Sequence, residues 1–235
     1  MVTVTVRLDG KCVLITGASG GLGGAVVKAF LDAGASVAGT ARQWKEGAAP
    51  AGEFLAIGAD LTREDDAARA VAEARAWRGR LDAVVHLMGG FAMDGNVEQT
   101  QIATWDRMMS VNLRAAFLVF RAALPALVES GAGRVIAVGA RAGETPGAGM
   151  SAYAASKAGL HALVKVIAAE NRRTGVTANA VLPSTIDTAA NRAATPGADF
   201  ARWVAPESIA ALLVWLASEA SRDVNGALMP IYGRA

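Results

Sequence analysis

Seven short apolar runs, most of them rich in β-branched residues, alternate with longer stretches whose apolar positions recur at helical spacing. Residues 11–16, 36–40, 53–57, 81–87, 134–138, 176–182 and 227–231 read as strands. A helix is expected after residue 23, where Val26, Val27, Phe30 and Leu31 share a face. A second is expected from about 62 to 77, with Thr62 as its N-cap and Asp65 three residues on. The run 102–129 reads as one long apolar helix holding Trp105, Met108, Met109, Phe117 and Phe120, expected to be buried against a sheet and also against a partner subunit. A further helix carries residues 153–157 and ends near 173–175, and a last one opens at Pro206 and runs to Ala217. No repeat, linker or low-complexity segment interrupts this alternation. It predicts one domain over residues 1–235, α/β, built on a doubly wound Rossmann-type parallel sheet of about seven strands with helices on both faces. Residues 184–203 carry few helix or strand signals and mix Thr188, Asn191 and Arg192 with Phe200 and Trp203, so they are expected to form a substrate loop.

Composition narrows the function classes. Of 235 residues 53% are hydrophobic and 19% charged, with a net charge of +2 and no basic run, which gives no reason to expect nucleic acid or a membrane as partner. The single Cys12 excludes an internal disulfide and lies in an apolar run. His86 and His161 stand far apart with no cysteine partners, so no metal site is expected. Residues 1–7 lack a basic segment followed by an apolar core, and a cytoplasmic protein is expected.

Three stretches carry chemistry. The first strand runs into Gly17-Ala18-Ser19-Gly20-Gly21-Leu22-Gly23-Gly24 and then a helix, an order that lets backbone amides and a helix N-terminus meet a pyrophosphate. At the end of the second strand, where an acid would hold ribose hydroxyls, the chain reads Ala41-Arg42. A guanidinium suits a 2′-phosphate, so NADP(H) is favoured over NAD(H), the alternative being an ordinary solvated arginine. Tyr153 and Lys157 are four residues apart on one helix face, where an ammonium favours the phenolate and makes the tyrosine a candidate proton donor or acceptor. Asn112 is an uncommon polar choice within the long apolar run and needs a partner or a purpose.

These motifs, in this order and spacing, resemble the short-chain dehydrogenase/reductase family over nearly the whole chain. The resemblance rests on Thr16-Gly17 through Gly23, Asp60, the Gly89 turn, Asn112, Tyr153 with Lys157, and Pro183 with Thr188. It implies that Tyr153 is the general acid or base, that Lys157 binds the nicotinamide ribose and lowers the tyrosine's pKa, and that Asn112 supports a proton relay through water. It further implies cofactor contacts from Gly17, Ser19, Gly21, Leu22, Gly23, Arg42, Asp60, Leu61, Gly89, Tyr153, Lys157, Pro183, Ile186 and Thr188. A homodimer or homotetramer through the long helices is also implied.

The sequence departs from the family pattern at three points. The usual Asn-Asn-Ala-Gly turn is His86-Leu87-Met88-Gly89, and the glycine after Pro183 is Ser184. The catalytic serine, thirteen residues before the tyrosine, is Ala140. Removing one such donor typically costs about 2.7–4 kcal/mol of transition-state stabilisation. Thr145 and Ser151 are candidate substitutes. The segments 139–142, 145–147, 180–183, 187–188 and 191–203, with the Gly89-Gly90-Phe91 turn, are similar to the dihydropteridine reductase-like subgroup, which lacks that serine. The expected activity is hydride transfer to an electrophilic carbonyl or imine, a quinonoid dihydropterin being the candidate substrate. The alternative is a nucleotide-binding regulatory or scaffold protein that keeps the fold without catalysis.

Overall fold

In β1 (Cys12–Thr16), Val13 and Ile15 pack into one apolar cluster and Leu14 into another, so a single strand feeds two cores. The same alternation runs through β2 (Ser36–Ala41), β4 (Ala83–His86) and β5 (Arg134–Val138), which are buried along nearly their whole length. With β3 (Phe54–Gly58), β6 (Thr177–Pro183) and β7 (Leu228–Ile231) they form one parallel sheet ordered β3-β2-β1-β4-β5-β6-β7. This computed structural model describes residues 6–45, 47 and 49–234. Most of the N-terminal segment read above therefore lies outside the described residues.

On one face α1 (Gly23–Asp32) packs against α7 (Pro206–Ala217), through Val26, Val27 and Phe30 with Ile209 and Leu213. The other face is covered by α2 (Glu64–Arg78), α4 (Ala115–Glu129) and α5 (Ser151–Glu170), with Phe120, Leu127, Leu160 and Val164 at its centre. Helices on both faces are what strands buried on both sides require.

Several boundaries differ from expectation, each for a local reason. Thr62 does not cap α2. Its hydroxyl donates to Asp60 Oδ1 at 2.7 Å, a short-range bond that competes with capping, and the N-cap is Arg63. Glu64, Asp65 and Asp66 in the first turn offset the helix dipole instead. The 102–129 run is not uniformly α-helical: α3 (Ile102–Met108) passes into a π-helical turn (Met109–Arg114) before α4. By length and composition this run could cross a membrane, but half of its most apolar window is buried inside the fold. Met108 belongs to the core, whereas Phe117 is half exposed. Helix α5 stops at Glu170, where the Asn171 side chain donates to Ile167 O. The stretch 184–203 is partly ordered structure, with α6 (Ala189–Ala194), a turn of 3-10 helix (Phe200–Arg202) and a bridge from Ile186 to Val204.

Candidate active site

The chain leaves β1 toward one face of the sheet and β4 toward the other, which opens a crevice at their carboxyl ends. Gly17, Ser19, Gly20, Gly21, Leu22 and Gly23 form its floor. The end of β2 with Arg42, then Asp60 and Leu61, line one wall, and Leu87 to Gly89 line the other. Gly17 has a φ of 68°, and a Cβ there would lie 3.0 Å from Met88 N, so only glycine fits. At Gly23 a Cβ would lie 2.3 Å from Ala18 O, which lets the turn close onto the start of α1. The Gly23 N–H is turned back to Gly20 O, but no side chain caps α1 and no acid sits in its first turn, so the end of the helix can still face an anion. A dinucleotide pyrophosphate fits this cradle.

Arg42 is exposed at the rim, and its charge helps hold the Asp60 carboxyl below the usual range, after the larger effect of the Thr62 hydroxyl. Thr188 accepts the Asn191 N–H as N-cap of α6. Its methyl packs on the glycine turn, since a Cβ on Gly21 would lie 3.1 Å from it. The segment after Pro183 thus already lies over the crevice. An Asp187–Arg192 fork at 2.5 and 2.7 Å, with Arg192 over Phe200 and Phe200 against Trp203, organises it. Phe200 and Trp203 therefore anchor this segment.

Beyond Gly89 the crevice meets α5. Lys157 is buried and donates to Val138 O at 2.9 Å. A Cβ on Gly89 would lie 2.8 Å from Asn112 Oδ1 and 3.3 Å from Lys157 Nζ, so this glycine lets the chain pass beside both. Burial lowers Lys157 to about 8 and raises Tyr153 to about 12. The expected lowering of the tyrosine by the lysine is not seen, because desolvation of the phenolate dominates and the ammonium is engaged at Val138 O. At neutral pH the phenol keeps its proton. Its ring meets Phe91 edge-on at 5.0 Å between centroids.

Asn112 is fully buried in the π-helical turn. Its Oδ1 accepts the Gly90 N–H at 2.8 Å, and Nδ2 donates to Gly90 O and to Ser156 Oγ, each at 3.0 Å. Ser156 in turn donates to Tyr153 O at 2.7 Å. The side chain is thus committed to joining the β4 turn to α5, and any link to a relay water falls to other atoms. Ser156 was not singled out from the sequence, although it lies three residues after Tyr153 on the same helix.

Residues 11–199 match the family model described as short chain dehydrogenase. The chain belongs to this family. It is 30% identical to acetoacetyl-CoA reductase of Allochromatium vinosum over 240 residues, 95% of this chain and 97% of the relative. It is 32% identical to (3R)-3-hydroxyacyl-CoA dehydrogenase of Mus musculus over 250 residues, 97% and 96% of the two chains. Among solved structures, a short-chain type dehydrogenase/reductase from Mycobacterium ulcerans superposes with a TM-score of 0.90 at 27% identity, covering 97% of this chain and 90% of the other. This short-chain dehydrogenase is accordingly an oxidoreductase dependent on NAD(H) or NADP(H).

All three family departures gain a structural account in this short-chain dehydrogenase. Ala140 is buried and offers no side-chain donor. The candidate substitutes are otherwise engaged: Ser151 Oγ pairs with Thr100 Oγ1 at 2.7 Å, and Thr145 Oγ1 donates to Arg141 O. His86 pairs through Nδ1 with Thr16 Oγ1 at 3.0 Å, lies edge-on to Phe120, and is pushed down to about 3 by burial. It is a neutral core residue that ties β4 to β1. The third departure, Ser184, donates to Tyr232 O at 2.7 Å and ties the chain after β6 to that after β7.

Proposed function

We propose that this chain is an NADP(H)-dependent reductase that protonates an electrophilic carbonyl or imine substrate from Tyr153. The carrying observation is that Tyr153, Lys157 and Asn112 are held together beside the Gly89 turn while position 140 lacks a hydroxyl. The nicotinamide, when bound, supplies the hydride. Gly17, Ser19, Gly21, Leu22 and Gly23 would hold the pyrophosphate, and Asp60 and Leu61 would flank the adenine. Gly89, Pro183, Ile186 and Thr188 would border the nicotinamide.

A phenol raised to about 12 keeps its proton at neutral pH and can donate it when the substrate is reduced. Lys157, lowered to about 8, is mostly an ammonium at pH 7. In that form it can bind ribose hydroxyls and stabilise the phenolate left after Tyr153 gives up its proton. Arg42, with no acid at Ala41, supports preference for a 2′-phosphate. Ala140 favours a substrate that is electrophilic before it enters, since a ketone developing full alkoxide charge would lack one hydrogen-bond donor. A quinonoid dihydropterin meets that condition, and the half-exposed Phe91 beside Tyr153 gives a planar ring an apolar surface. The names of the acetoacetyl-CoA and hydroxyacyl-CoA relatives support carbonyl chemistry more generally. The apolar face of α3 to α5, with Met109, Leu113, Phe117 and Leu163, is the surface on which we place a homodimer or homotetramer contact.

The test is a panel of quinonoid dihydropterin, acetoacetyl-CoA and simple ketones, each with NADPH and NADH, followed at the nicotinamide absorbance. Turnover of the pterin is expected to exceed that of the ketones. Tyr153→Phe is expected to lower kcat by at least about 100-fold with unchanged NADPH binding. Arg42→Ala is expected to weaken NADPH about tenfold and leave NADH unchanged. Binding without turnover anywhere in the panel would favour a nucleotide-binding scaffold, and a strong NADH preference would remove the role given to Arg42.

A further inference from the structure

His161 is 2% exposed, lies one turn beyond Lys157 on α5, and takes no part in the reaction proposed above. Its Nε2 accepts the Ala140 N–H at 3.4 Å, and its Nδ1 lies 2.8 Å from Glu144 Oε1. An Nε2 that accepts has no proton, so the ring is neutral with its hydrogen on Nδ1, donated to the Glu144 carboxylate. The ring is also wedged between two glycines. A Cβ on Gly139 would lie 2.4 Å from Nε2, and one on Gly143 would lie 2.4 Å from Cε1. The pattern Gly139-x-x-x-Gly143-Glu144 thus forms a slot that takes an imidazole. Lys157 grips Val138 O one turn earlier on the same helix. Two side chains of α5 therefore hold the chain where it leaves β5, Lys157 at Val138 and His161 at Ala140, the position where the family places its serine.

We propose that His161, oriented by Glu144, is a positioning residue that fixes the backbone of residues 139–143 against the helix carrying Tyr153 and Lys157. With alanine at 140, the shape of this side of the site depends on where the backbone is held, and His161 holds it. Protonation of Nε2 would remove the acceptor and release the Ala140 amide. The charges that face the ring are Glu144, which raises its pKa, and Lys157 and Lys165, which lower it, while burial keeps the ring below the usual histidine range. Arg141, between the two glycines, has its guanidinium over the Tyr232 ring. The neutral clamp is present above the His161 pKa and is lost as pH falls through it.

The chain has two histidines, so nitrogen-15 labelling of histidine resolves both rings, and His161→Gln assigns them by loss of one set. His161 is expected as the neutral Nδ1–H form at pH 7, and the Ala140 amide as protected from hydrogen exchange. Glutamine can accept from Ala140 and donate to Glu144, whereas phenylalanine fills the slot without either bond. His161→Phe is expected to bind NADPH normally, exchange the Ala140 amide at least about tenfold faster, and lower kcat about tenfold. The wild type is expected to show an acid limb in kcat, and His161→Gln is expected to recover most of both losses and to lack that limb. Turnover is read with NADPH and the fastest substrate of the panel above. If no substrate is turned over, the reductase reading fails by itself, and tautomer and exchange decide the clamp. An Nε2–H or charged ring at pH 7 would overturn the proposal. So would His161→Phe matching the wild type, or glutamine being as impaired as phenylalanine.

Discussion

Ala140 is a single methyl group in place of a hydroxyl, and its consequence is best measured by putting the hydroxyl back. Ala140→Ser should raise kcat/KM on simple ketones by about 10- to 100-fold and change the pterin much less, because one hydrogen-bond donor matters most where alkoxide charge develops. Equal gains on both substrates would argue against a pre-activated substrate. His86 poses a different question, one of stability. Its folded pKa of about 3 lies below the unfolded value of 6.5, so the unfolded chain takes up the proton first. Stability from the neutral ring is therefore complete above pH 6.5 and is lost as pH falls from there toward about 3. His86→Leu is expected to flatten the change in urea midpoint between pH 7 and pH 5, compared with the wild type. Neither consequence could be read from the residue types alone. Ala140 was legible as a departure, but the commitment of Ser151 to Thr100 and of His86 to Thr16 joins residues 51 and 70 positions apart.

At the scale of elements, the π-helical turn between α3 and α4 is the least expected feature. Such wide turns are commonly found at functional sites. Here the turn carries Asn112, whose amide pairs with both backbone groups of Gly90 much as a neighbouring strand would. Asn112→Ala leaves that donor and acceptor unpaired and is expected to cost about 2–3 kcal/mol in urea unfolding, along with a loss of turnover. The segment after β6 is coupled to the glycine turn in a similarly direct way, through Thr188 on Gly21. Gly21→Ala should raise the KM for NADPH about tenfold by pushing this segment away, an estimate based on the sensitivity of bound geometry to small displacements. Adding Thr188→Ser removes one of the two crowding carbons, the methyl, and keeps the N-cap hydroxyl, so it should restore part of the loss. If the double variant is no better than Gly21→Ala, the contact is not what limits binding.

For the whole molecule, the parallel sheet is buried on both faces by its own helices, yet α3 to α5 still present apolar side chains outward. Ile102 is 75% exposed and Phe117 47%. Phe117→Asp places a charge on this surface without entering the core. It is expected to shift the protein to a smaller species in gel filtration and to leave its thermal unfolding at high dilution unchanged. A wild type that already elutes as a monomer would refute the contact proposed for this face.

The sequence by itself determined the class of fold and the order of its parts. Strand periodicity, the glycine turn after β1 and the helical spacing of Tyr153 and Lys157 are local patterns, and local sterics and hydrogen bonding suffice to specify them. It also marked Asn112 as a polar residue in need of a partner and Ala140 as a missing donor. Tertiary structure alone decided what those residues meet. Asn112 joins Gly90 to Ser156, Thr188 closes on Gly21, and His161 enters the slot between Gly139 and Gly143. The protonation of the central pair was decided there too. A lysine four residues from a tyrosine predicts a lowered phenol, but burial raises it to about 12 and brings the lysine down to about 8. Charge proximity can be read from spacing along a helix, whereas desolvation depends on everything that packs around it.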